Sequence, residues 1–142
     1  MNNKLIFHYL SYLQYPFLIG VLYFTFKLNT SNEFDLNIVN NILVLMGLAV
    51  SFSTLQDTKK VSMKFEKGIW ENPKKGNLFI SLITIFTFLI LVFGIFGYFF
   101  SENENVQKVA FGSIVLGIGF VGFTKVAIEV FENHRKDKNK TE

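Results

Sequence analysis

Cysteine is absent from this 142-residue chain, which excludes structural disulfides and thiolate metal sites. Histidine occurs only as His8 and His134, too sparse for the clustered imidazoles and carboxylates of a metal centre. No Gly-x-Ser-x-Gly, His-Glu-x-x-His or paired intramembrane Asp is present, and Ser113 has no base near it in sequence. These absences argue against an enzyme and leave no catalytic residue, metal or cofactor to assign. Charge is also missing from where a soluble domain would carry it. The 25 acidic and basic residues, 11 and 14 of them, sit almost wholly between apolar runs.

What remains is apolar length. Half the residues are hydrophobic and 18 are Phe. They gather into four runs, 5–26, 36–55, 78–100 and 109–131. Each covers a hydrocarbon core of about 30 Å, which takes about 20 helical residues. The runs are too long and too evenly apolar for barrel strands, so the backbone must satisfy itself as helices. The expected fold is all-α, an integral membrane four-helix bundle forming one domain, with a 56–77 loop and a 132–142 tail. The first run follows a single lysine, as in a signal peptide, but has no small-residue cleavage site and reads as a retained helix.

Charge sets the expected orientation. Lys59, Lys60, Lys64, Lys67, Lys74 and Lys75 lie in the 56–77 loop, and Arg135, Lys136, Lys138 and Lys140 in the tail. The other two loops carry only Lys27 and Lys108, beside Glu33, Asp35, Glu102 and Glu104. Positive loops stay in the cytoplasm, so both termini and the 56–77 loop are expected there. A Lys- and Asn-rich composition fits a bacterial inner membrane. The net charge of +3 then points to the bilayer and its anionic headgroups as partners. No aromatic-interleaved basic patch suggests nucleic acid.

Within the runs, several residues need partners. His8, Ser11, Tyr12 and Tyr15 share a face of the first run, with Gln14 to one side, and Pro16 is expected to kink the helix near its middle. Gly47 with Ser51, and Ser113 with Gly117, form small-x-x-x-small pairs for close helix approach. Ser81, Thr84, Thr87, Gly94 and Gly97 suggest a third packing stripe. Lys125 and Glu129 lie four apart near the end of the fourth run. Lys125 has a bland reading as a snorkelling side chain, and His8 as an interfacial one. The sharper expectation is an intramembrane polar cluster of His8, Gln14, Lys125 and Glu129, with His8 meeting Glu129 across helices and relaying protons.

By depth, polar residues collect in the half nearer the basic loop, and the opposite half is Phe, Leu, Ile, Val and Gly. That gradient suggests a polar vestibule open to the cytoplasm. In the loop, Val61, Phe65 and Ile69 recur every four residues, suggesting a helical extension that ends near Gly68, with Trp70 as its interfacial anchor. Lys59, Lys60, Lys64, Lys67 and Trp70 are the candidate docking residues for lipid or a partner. The expected function is an accessory or assembly subunit of a membrane complex, bound to another membrane protein or to copies of itself. The alternative is a homo-oligomeric channel or transporter built around the vestibule.

Overall fold

The computed structural model describes residues 3–31, 34–56 and 68–136. Every regular element among them is a helix. In chain order these are α1 (Asn3–Ser11), α2 (Gln14–Thr30), α3 (Leu36–Ser53), α4 (Pro73–Phe100) and α5 (Glu104–His134). Three of them, α3, α4 and α5, are long and apolar enough to cross a membrane. The extension expected through Val61 and Phe65 lies outside the described residues; a helical turn at 68–70 follows, separated from α4 by Glu71 and an extended Asn72.

The three longest helices, α3, α4 and α5, begin where a side chain can take up their first free N–H groups. Asp35, Asn72 and Asn103 all sit in extended backbone and accept from the N–H two residues on, at Asn37, Lys74 and Asn105. Pro73 follows at the first position of α4, where a missing N–H costs nothing. The N–H of Asn37 holds the Asp35 carboxyl below its usual range; desolvation opposes it, and the Asn37 side chain, the Ile38 N–H and Lys27 add to the lowering. These caps explain why α4 and α5 outrun their apolar stretches by several residues at both or one end. The hydrogen-bond ladder continues through polar residues until a cap or a break stops it.

The first run is not one kinked helix. It breaks at Tyr12–Leu13, ahead of Pro16, into α1 and α2. In a continuous helix the Pro16 ring would collide with the Tyr12 carbonyl, four residues back. The chain tightens there instead. Tyr12, Leu13 and Tyr15 donate to the carbonyls three residues back, Tyr9, Leu10 and Tyr12, each at 3.1 Å. Pro16 thus falls in the first turn of α2, where its absent N–H has no duty.

The helices pack as a row in the order α2, α3, α5, α4, with α1 touching α3. Gly20 meets Leu45, and Phe17 stacks on Phe52 at 5.5 Å, so α2 and α3 are antiparallel. Gly112 lies on Asn40 and Gly119 on Gly47, so α3 and α5 run parallel. Gly76 meets Phe131 and Gly94 meets Ile114, so α4 and α5 are antiparallel. One end of the row therefore holds Gln14, Thr54, Pro73 and His134 and is called the basic end below. The far end holds Thr30, Leu36, Phe100 and Glu104.

Close backbone approach holds the row. A Cβ added to Gly47 would lie 2.7 Å from the backbone of Val115 and Leu116, and one on Gly119 2.5 Å from the Gly47 carbonyl oxygen. Ser51 is at the same crossing, 3.2 Å from the Gly119 position, so the Gly47/Ser51 pair does meet a helix. On its other side α5 presents Ala110, Gly117, Thr124 and Phe131 to α4, at intervals of seven residues. The α4 stripe is only partly used: Thr87, Gly94 and Gly97 face α5, while Ser81 and Thr84 are exposed. Steps of three residues rotate by about 60° each around a helix of 3.6 residues per turn, which carries Ser81 off the contact. Thr87 to Thr124, at 3.5 Å, is the one side-chain hydrogen bond between the three long helices among the described residues. Packing, not polar contact, joins these helices.

Candidate functional site

The residues expected to cluster do not meet. His8 is exposed on α1, its Nε2 3.3 Å from the Tyr12 hydroxyl, with the two rings edge to face. Tyr12 in turn stacks on Tyr15. Gln14 is buried at the first position of α2. Lys125 and Glu129 face each other at 3.9 Å on α5, with side chains 79% and 48% exposed. Exposed pairs of this kind contribute about 0–1 kcal/mol. The structure brings Lys125 to Glu129 and His8 to Tyr12, and leaves the two pairs on separate helices that do not pack together.

The polar gradient has a local explanation. Ser11, Ser51, Ser53, Thr54, Thr84, Thr87, Ser113 and Thr124 each donate to a carbonyl three or four residues back on their own helix. A hydroxyl satisfied in this way sits in an apolar layer without lining water.

At the basic end the chain is clasped. The Phe131 ring lies on the Gly76 backbone, and the Arg135 guanidinium stands 5.4 Å over the same ring. Arg135 also pairs with Glu132 at 2.8 Å. Lys136 Nζ reaches Glu71 at 2.5 Å, and the Lys136 N–H donates to the Glu71 carbonyl at 3.3 Å. Trp70 packs edge to face on Phe79, 5.3 Å between ring centres. This residue is half-buried against α4, so its ring anchors the start of that helix. The other docking candidates, Lys59, Lys60, Lys64 and Lys67, lie outside the described residues.

Sequence reasoning passed over the far end, where three helix ends leave a notch of about 400 Å³ lined by Asn40, Tyr98, Glu104, Gln107, Lys108 and Phe111. The Asn40 amide oxygen is buried beside Gly112 and accepts no hydrogen bond. An unmet buried acceptor costs about 1–3 kcal/mol. Gln107 is engaged, its amide donating to the Ser101 carbonyl at 2.7 Å. Glu104 and Lys108 are four apart, with the acid first, the favoured order for pairing along a helix. Yet the ion pairs among the described residues join Lys125 to Glu129, Arg135 to Glu132 and Lys136 to Glu71. The two notch charges stay apart. Their spacing was the available signal, and it is visible only once Asn40 and Tyr98 are known to converge on it.

A second cleft of about 800 Å³, also toward the far end, is walled mainly by Leu22, Phe26, Leu28 and Phe34 and is largely apolar. No group of three His, Cys, Asp or Glu side chains converges among the described residues. The chain matches no protein-family model, and no curated protein or solved structure is similar to it.

Proposed function

We propose that this chain is a small multi-pass accessory or assembly subunit of a larger membrane complex. The open row of helices carries that reading. A solitary transporter needs a wall that closes around a path, whereas a row presents two broad apolar faces to whatever lies beside it. The hydroxyl groups turned back onto their own helices support the same view, because they leave no polar track along the row. The bilayer, its anionic headgroups and another membrane protein are the proposed partners, with no nucleic acid among them.

One observation favours a second reading, a homo-oligomeric channel or transporter with a cytoplasm-facing polar vestibule. His8, Ser81 and the Lys125–Glu129 pair are exposed in the basic half of the row. Copies arranged around an axis would turn such residues toward a shared lumen. A native mass spectrum of the protein purified from its own membranes separates the readings. A co-purifying unlike chain is the expected result. A clean homo-oligomer would reject the accessory role in favour of the channel.

The proposed topology has four crossings, both termini and the 56–77 loop in the cytoplasm, and a bacterial inner membrane around them. With 17 residues, α2 reaches about 26 Å and needs its junction with α1 to complete a crossing. Because the chain has no Cys, single cysteines report its sidedness cleanly. Ser31→Cys and Glu102→Cys are expected to react with an impermeant maleimide in intact cells. Asn2→Cys, Gln56→Cys and Asn139→Cys are expected to react only after permeabilisation. Labelling of Asn2→Cys in intact cells would reduce the crossings to three.

A further inference from the structure

The notch at the far end holds a combination of groups that three helix ends alone would not supply. Glu104 offers a carboxylate and Lys108 an ammonium, both on the first turns of α5 and neither in an ion pair. Asn40 closes the α3 side of the notch, its amide oxygen turned inward against Gly112. Tyr98 and Phe111 give an aromatic wall on the side of the apolar spans. A simple anion in this notch would meet Glu104, and a simple cation would meet Lys108. A ligand carrying both signs a few ångströms apart meets each with its opposite.

Position narrows the choice further. Leu36 opens α3, Phe100 closes α4 and Glu104 opens α5, so the notch stands at the edge of the apolar layer formed by three spanning helices. Lipid headgroups occupy that edge, and aromatic rings are favoured there. The Glu104 carboxylate accepts hydrogen bonds, so it favours an ammonium that has N–H groups over a trimethylated one. Charge-assisted bonds of this kind are the stronger class.

We propose that the notch formed by Asn40, Tyr98, Glu104, Lys108 and Phe111 binds the headgroup of a zwitterionic phospholipid with a primary ammonium, of the phosphatidylethanolamine type. Glu104 takes the ammonium, Lys108 takes the phosphate, and Tyr98 and Phe111 flank the glycerol end. The site lies in the leaflet opposite the basic loop. It rests on α3, α4 and α5 crossing a bilayer and is independent of what the chain assembles with.

The test is native mass spectrometry of the full chain in detergent, titrated with phosphatidylethanolamine or with phosphatidylcholine of the same acyl chains. Phosphatidylethanolamine is expected to be retained at about fivefold lower concentration, the scale of one net hydrogen bond that a trimethylated ammonium cannot make. Glu104→Gln is expected to remove that preference, and Lys108→Gln to weaken retention of both lipids. Glu102→Gln, outside the notch, is expected to leave the preference intact. Equal retention of the two lipids by the unsubstituted chain would overturn the proposal without reference to any variant. So would a preference that survives in Glu104→Gln. If soluble phosphoethanolamine displaces the lipid at matching concentration, the bilayer source is overturned and the site belongs to a dissolved zwitterion.

Discussion

Gly47→Ala and Gly119→Ala are each expected to force α3 away from α5 and to destabilise the purified chain by about 2–3 kcal/mol, the upper range for overpacked contacts. The atoms that a new methyl would meet decide the size. At Gly47 they are the backbone N of Leu116 and the C and O of Val115, all at 2.7 Å. At Gly119 the nearest is the Gly47 carbonyl oxygen, at 2.5 Å. Backbone in a helix cannot step aside as a side chain can, so the whole helix must move. Substitutions elsewhere calibrate the effect. Gly122→Ala places its methyl 3.4 Å or more from Thr54, in ordinary contact, and Gly68→Ala meets nothing within 4 Å among the described residues. Both controls are expected to stay within about 0.5 kcal/mol of the unsubstituted chain. Thermal unfolding in one detergent measures all four. Equal melting temperatures across the set would remove the α3–α5 crossing as the centre of the fold.

Phe131→Ala is expected to cost about 3–5 kcal/mol, the range for a fully packed aromatic ring. Its side chain is 2% exposed although it lies near the end of α5, where a lipid-facing Phe would be open. The ring lies against the Gly76 backbone, where a methyl would overlap it. Gly76→Ala is therefore expected to be destabilising alone and close to neutral in a chain that already carries Phe131→Ala. That non-additivity is the signature of direct contact. Additive losses in the double variant would mean that Phe131 is an interfacial anchor with no tie to α4.

Much of the fold can be read from hydrophobic runs, because an apolar stretch of about 20 residues has few alternatives in a bilayer. The helix ends were less legible. The runs at 78–100 and 109–131 stop where polarity begins, whereas α4 and α5 continue to their caps at Asn72 and Asn103. Both caps are visible in sequence as an Asn before a helix, but polarity and hydrogen bonding end at different residues. The break before Pro16 follows from a collision four residues upstream, so the proline marks the start of α2 and not its bend.

The side chains of the candidate site were harder to place. Depth in the bilayer can be estimated from position along a run, but the direction a side chain faces depends on which helices adjoin. The i, i+4 glycine and serine pairs were a fair guide at Gly47 and Ser51. The seven-residue recurrences of Gly112 with Gly119, and of Ala110, Gly117, Thr124 and Phe131, were the better one. Two such seams, offset by two residues, turn α5 toward two neighbours at once. They also leave His8 and Glu129 on helices that do not adjoin, which depth alone could not foretell.

The place of α5 bears on how the protein is made. A ribosome delivers α2, α3 and α4 before it, yet α3 and α4 share no packed surface of their own. After α2 and α3 have paired, α4 waits in the lipid as a lone span, with Gly94 and Gly97 open to acyl chains. In a bilayer, α5 must then enter between two helices made before it. A stall or truncation within it would strand a complete but unjoined set of earlier helices for quality control to remove. Its arrival converts separate insertions into one protein.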